Sequence, residues 1–211
     1  PAMDFLVDQG YTVVRIGDPT MTPVDRHGVV DLALRPNRLV EFYSLIKSNF
    51  FLGVGSGPWM AAYLTNTPIL MVNSTHPIVE YPVRLDCMYI LKHVVDIAKD
   101  AKLSLQDILN EDFLFNQRDI GRYRYIDNSG EEILTSTIEM VEFLKCPPPL
   151  TKVQLRYGDL ARQAGNKIAE RYDVTDSHIR QEIRDVLIYG VDNGFIGEGR
   201  IAHWFSKRYM L

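Results

Sequence analysis

The stretch FFLGVGSGPWMAAYLTNTPILMVN, Phe50–Asn73, decides how this chain is read. It opens with an apolar run of strand length and turns on Gly55-Ser56-Gly57. A helix-like segment follows, and a second apolar run closes the stretch. Neither run alternates with polar residues, which fits parallel strands covered on both faces. Pro58 suits the first turn of a helix, where a missing N–H breaks no intrahelical bond. The glycines and the serine between strand and helix make either a tight corner or a place where a ligand meets the backbone.

The same alternation extends outward. YTVVRIG, ending at Gly17, and VVDLAL (Val29–Leu34) read as strands. NRLVEFYSLIKSN carries Leu39, Val40, Tyr43, Ile46 and Lys47 at helical spacing and reads as an amphipathic helix. MYILKHVV (Met88–Val95) reads as a fifth strand. Strands and helices in this order predict an α/β fold, a Rossmann-like parallel sheet with helices on both faces. In such sheets ligands sit outside the carboxyl ends of the strands. Gly17-Asp18, Gly55-Ser56-Gly57 and Asn73-Ser74-Thr75-His76 all fall at such ends and are expected to line one rim. At the other extreme, PAMDFLVDQG reads as the latter part of a helix stopped by Gly10, and suggests a piece of a longer protein.

From Ser104 the pattern becomes helical. Ser104 caps a short helix. Ser129 and Glu132 form the capping box of a longer one, with Ile133, Thr137, Met140, Val141 and Leu144 as its apolar stripe. Pro147–Pro149 ends that helix and separates a domain over 1–146 from a mainly helical C-terminal extension over 150–211. Helices are expected there over about 151–172, over about 175–190 with Thr175 or Asp176 as cap, and near 198–209.

Composition narrows the function. The chain has 211 residues and a net charge of -4, which argues against nucleic acid as an obligate partner. Lys152, Arg156, Arg162, Lys167 and Arg171 share one helical stretch and read as a solvated face. Cys87 and Cys146 and the five histidines are scattered, so no metal motif can be drawn. No apolar run approaches the roughly 20 residues of a membrane span.

The Gly55–Gly57 turn has the chemistry of an anion site. A helix starting at Pro58 presents unpaired N–H groups and the positive end of its dipole. Gly55 and Gly57 lack the Cβ atoms that would hold a phosphate away, and Ser56 adds a hydroxyl. The alternative is a tight corner with Ser56 as helix cap. The turn matches neither the lysine-containing phosphate loop nor the dinucleotide glycine pattern, since Trp59 and Met60 stand where small residues are needed. Arg15, inside an apolar strand, must meet either a carboxylate such as Asp18 or a ligand phosphate.

GYTVVRIGD, followed by LVEFYSLIKSNFFLGVGSGPWMAAYLTNTPILMVN, resembles the C-terminal, nucleotide-sugar-binding half of GT-B glycosyltransferases. IDNSGEEILTSTIEMVEFL adds to the likeness, which points to a bacterial family encoded with surface-polysaccharide genes. The resemblance spans most of residues 3–145. It implies that Arg15, Gly55, Ser56, Gly57 and Trp59 hold the donor diphosphate, and that Asn73, Ser74 and His76 reach its sugar or ribose. It implies no metal and no cofactor beyond the nucleotide-sugar donor. It also implies a glycan or lipid-linked acceptor, a cytoplasmic place that is peripheral at the inner membrane where the acceptor is a lipid, and a missing N-terminal half. Without that half the chain is expected to be inactive. Glu132 and Glu139 stand seven apart, as catalytic pairs in retaining relatives do, but read as a cap and a solvent-facing residue. Two alternatives stand beside the transferase. One is a nucleotide-sugar epimerase using His76 and Glu80; the other is a non-catalytic module that docks a partner through HIRQEIRDVLIYGV.

Overall fold

The computed structural model describes residues 1–78, 84–190 and 197–210. Strand β3 (Phe51–Gly53), helix α3 (Gly57–Leu64) and strand β4 (Ile69–Ser74) form the unit expected from Phe50–Asn73. Upstream lie α1 (Ala2–Asp8), β1 (Val13–Arg15), β2 (Val29–Asp31) and α2 (Arg38–Lys47). Downstream come β5 (Cys87–Leu91), β6 (His93–Asp96), β7 (Ala101–Lys102), α4 (Leu105–Ile108), α5 (Glu111–Asn116), β8 (Tyr123–Ile126) and α6 (Gly130–Lys145). The chain continues through α7 (Lys152–Arg171), α8 (Gln181–Asp185), a π-helical turn (Val186–Gly190), β9 (Arg200–Ile201) and α9 (His203–Tyr209).

The central sheet runs β3-β4-β5-β9, and each of its pairs is parallel. Helices cover both sides, which makes the fold α/β with a mostly parallel sheet. Phe51 stands opposite Ile69, and Ile69 opposite Cys87. β5 is buried at every position, and β4 at every position except Asn73. Burial on both faces is why these two runs are apolar without alternation.

MYILKHVV is not one strand. It breaks at Lys92, whose N–H donates to the Ser74 carbonyl at 2.8 Å. Beyond that residue β6 leaves the parallel sheet and pairs antiparallel with β7 and β8. β1 and β2 also form their own parallel ladder, apart from the central sheet. The segment after the proline triplet contributes more than helices. Its residues 200–201 form β9, which extends the central sheet beside β5. Tyr157, Ala161, Ile168, Val186, Ile201 and Phe205 enter the same buried cluster as β4 and β5. The Tyr157 hydroxyl, fully buried, donates to the Pro77 carbonyl at 2.9 Å.

Local signals set most helix ends. Asn37, Ser104, Ser129 and Thr151 cap α2, α4, α6 and α7 with their side chains, the last three in capping boxes. The helix expected from about 175 begins only at Gln181. Asp173 accepts from the Thr175 N–H and hydroxyl, and Asp176 from the His178 N–H. Those local bonds hold a turn where a helix was expected.

Candidate functional site

The Gly55–Gly57 turn sits at the carboxyl end of β3 and leads straight into α3. Ser56 is the N-cap residue, extended at φ -136° and ψ 170°, yet its hydroxyl caps nothing. Among the described residues its one hydrogen-bond contact is the Val54 carbonyl at 3.5 Å, at the limit of a hydrogen bond. Ser56 thus takes the N-cap position that the tight-corner alternative gives it, and its N–H closes a tight turn onto the Val54 carbonyl at 2.7 Å, but its side chain makes no capping bond. A Cβ placed on Gly55 or Gly57 would meet no atom within 4 Å. Neither glycine is required by packing or by a left-handed backbone; both face open space. The Trp59 N–H turns back to the Ser56 carbonyl at 3.1 Å, so it is not offered outward. The Trp59 ring stands edge-on to Tyr63, 6.0 Å between centroids. Pro58 has no N–H and the Ser56 N–H donates to the Val54 carbonyl at 2.7 Å, so the Gly55 and Gly57 N–H groups are the backbone donors of the turn without a partner among the described residues.

Arg15 meets a carboxylate, but not the expected one. Its guanidinium donates to Asp31 Oδ2 at 2.7 Å, across the β1–β2 register in which these two residues are partners. Both side chains are almost fully covered. Asp31 also accepts from the Val24 N–H at 2.9 Å and the Ala33 N–H at 3.2 Å. The Val24 bond, with Arg15 and Ala33 adding to it, holds the Asp31 carboxyl below its usual range although burial opposes this. Asp18 instead accepts from the Thr20 hydroxyl and N–H and shapes the loop. The parallel register explains the choice: strand neighbours on one face lie closer than a residue beyond the strand's end.

At the end of β4, Asn73 takes a left-handed φ of 56°. Its N–H donates to Asn128 Oδ1 at 2.7 Å, and its own Oδ1 accepts the Asn128 N–H at 2.6 Å. Asn128 Nδ2 donates to the Leu91 carbonyl at 2.8 Å. Asn128 thus ties the ends of β4 and β5 to the start of α6, a role the reading of the sequence did not assign. The signal was present, since Asn128 stands in the IDNS motif that carried the family resemblance. Ser74 is buried, and its hydroxyl has no partner among the described residues. His76 is buried too, and its Nδ1 accepts the Ile78 N–H at 3.1 Å. Burial, with the Arg118 charge adding to it, pushes the His76 imidazole down to about 3, so the ring is neutral at pH 7. Its suggested epimerase partner, Glu80, lies outside the described residues.

The carboxylates of α6 hold the C-terminal helix. Glu132 completes its capping box and also accepts from the Tyr209 hydroxyl at 2.6 Å, with His93 Nε2 at 2.8 Å. Burial works against its charge, but Tyr209, the Ser129 N–H and His93 keep the carboxyl below its ordinary range. Burial and the Glu132 carboxylate push the Tyr209 phenol up to about 12. Glu139 is not solvent-facing. It accepts the N–H groups of His203 at 2.6 Å and Trp204 at 3.2 Å, capping α9 from a neighbouring helix.

The basic face of α7 finds local partners: Arg156 reaches Gln106, Arg162 reaches Asp159 and Arg171 reaches Glu111. Among the described residues no group of His, Cys, Asp or Glu is placed to hold a metal ion. No helix among them is long and apolar enough to cross a membrane. Two surface depressions, of about 540 and 340 Å³, include no residue of the Gly55–Gly57 turn. One is lined by Arg171, Tyr172 and Leu187, the other by Phe115, Arg118 and Arg180. Compared with known protein families, with curated proteins and with solved structures, the chain matches none.

Proposed function

We propose that this chain carries the donor half of a glycosyltransferase, with the Gly55–Gly57 turn holding the diphosphate of a nucleotide sugar. The observation that carries the reading is the open start of α3. An uncapped helix N-terminus, an exposed serine hydroxyl and two glycines facing empty space lie at the carboxyl end of a parallel strand. That is where sheets of this kind take phosphorylated ligands. The nucleoside diphosphate gains charge as the glycosidic bond breaks, so donors aimed at it favour the transition state over the ground state. The sugar would pass to a glycan or lipid-linked acceptor held by a separate N-terminal half. Arg15 is not assigned to the diphosphate, because Asp31 already neutralises it.

Calorimetric titration with uridine, guanosine and other common nucleoside diphosphates tests the reading. Weak binding is expected. Ser56→Ala should weaken it by about tenfold, the effect of one hydrogen bond to a charged group. Gly57→Ala should weaken it at least as much while leaving the thermal midpoint unchanged, since the added methyl meets only the ligand. No heat with any nucleoside diphosphate would sink the proposal.

A further inference from the structure

Helix α2 is turned inside out. Leu39, Phe42, Tyr43 and Ile46 recur at positions i, i+3, i+4 and i+7, the spacing of a stripe that normally packs on a core. Here the stripe faces solvent: Leu39 is 82% exposed and Tyr43 63%, and Phe42 and Ile46 are exposed as well. The side turned toward the protein carries buried Leu45 with half-buried Glu41, Ser44 and Ser48. Helix α3 packs beside α2. The Thr67 hydroxyl, just beyond α3, donates to the Leu45 carbonyl at 2.9 Å and fastens the two helices together. α3 adds exposed Met60 and Leu64, one turn apart, to the apolar surface. Charge around it is one-sided. Residues 32–79 hold three cations, Arg35, Arg38 and Lys47, and one carboxylate, Glu41, a net +2 inside a chain of net charge -4. All three cations are exposed and make no ion pair among the described residues. Glu41 is turned inward, with its Oε1 shut off from solvent.

We propose that the α2–α3 face is a docking surface for an anionic phospholipid membrane. An apolar helix face rimmed by cations is what a helix lying flat in a lipid interface presents. Leu39, Phe42, Tyr43 and Ile46 would enter the boundary between headgroups and acyl chains. Arg35, Arg38 and Lys47 would reach the lipid phosphates while their stems lie along the apolar edge. Tyr43 suits that depth, because its ring is apolar and its hydroxyl stays wet. A second copy of the chain fits the face less well. In a two-fold contact between α2 helices, an antiparallel arrangement sets Arg38 against the partner's Lys47, and a parallel one sets each cation against its own copy. With Glu41 turned inward, no carboxylate of α2 or α3 answers those charges. A sheet of lipid phosphates answers all three cations at once. The inference rests on exposure and charge and does not use the nucleotide reading.

Vesicle co-sedimentation of residues 1–211 tests it. Vesicles of equal parts phosphatidylcholine and phosphatidylglycerol should carry the protein down, and vesicles of phosphatidylcholine alone should leave most of it in solution. Arg38→Ala with Lys47→Ala should weaken binding by about 30-fold, the combined effect of two surface cations. Lys152→Ala with Lys167→Ala removes the same charge from the exposed side of α7 and should change binding by less than about threefold. Leu39→Ser with Tyr43→Ser should weaken binding by at least about tenfold, through the apolar area no longer buried in lipid. Their thermal midpoint should stay unchanged, since both side chains are exposed. Absence of binding to the mixed vesicles overturns the proposal. So does binding that the Leu39 and Tyr43 changes leave intact. A dimer in sedimentation equilibrium that the same two changes dissolve also overturns it, by making a second copy the occupant.

Discussion

Asn128 shows how one side chain organises a sheet rim. It answers the N–H of a left-handed Asn73 and the carbonyl of Leu91 at once, from a buried position. Asn128→Ala leaves those groups unpaired and should cost about 1–3 kcal/mol in denaturant unfolding. A loss under about 0.5 kcal/mol would mean that water replaces the amide. The two cysteines differ in the same local way. Burial, with Asp86 beside it, pushes the Cys87 thiol up to about 12, whereas Cys146 is exposed. A thiol reagent should therefore modify Cys146 quickly in the native protein and Cys87 only on unfolding. At this scale the sequence shows residue type and local spacing. It showed that Arg15 needs an anion, but not that Asp31, brought alongside by strand pairing, supplies it.

Among the elements, α6 and α9 illustrate what local patterns reach. The capping box of Ser129 and Glu132 and the apolar stripe of α6 lie within one stretch of sequence, and both form as expected. The second duty of Glu132, holding Tyr209, joins residues far apart in the chain. Its carboxyl titrates below its ordinary 4.5 in the folded protein, so the unfolded chain binds the proton more readily. The stabilisation is present above that value and is lost as pH falls through the lower, folded value. The gap in thermal midpoint between the wild type and Glu132→Gln should be constant above about pH 4.5 and shrink in more acidic buffer. A gap that does not change with acid would refute this. Glu139→Ala should free the start of α9 and destabilise the protein by about 1 kcal/mol, read from a denaturant midpoint.

Across the whole molecule the segment after the prolines is part of the sheet's support. Deleting residues 147–211 removes β9 from beside β5 and Tyr157, Ile168 and Phe205 from the common core. The shortened chain should lose cooperative thermal unfolding and bind a hydrophobic dye. A sharp transition in residues 1–146 would show that they fold without that support.

The sequence by itself determined the strand–helix–strand unit of Phe50–Asn73, the helix caps and the apolar runs of β4 and β5. Each of these follows from side chains a few residues apart, where backbone sterics and capping bonds act. Only the tertiary structure decided that Lys92 divides two sheets, that Arg200–Ile201 is a strand, and that Asp31, Asn128 and Glu139 take the partners they do. Those outcomes depend on groups tens of residues apart meeting in a low-dielectric interior, where an unpaired charge or amide is too costly to leave. The open turn at Gly55–Gly57 belongs to both: its residues were plain in the sequence, and its empty foreground is a property of the fold.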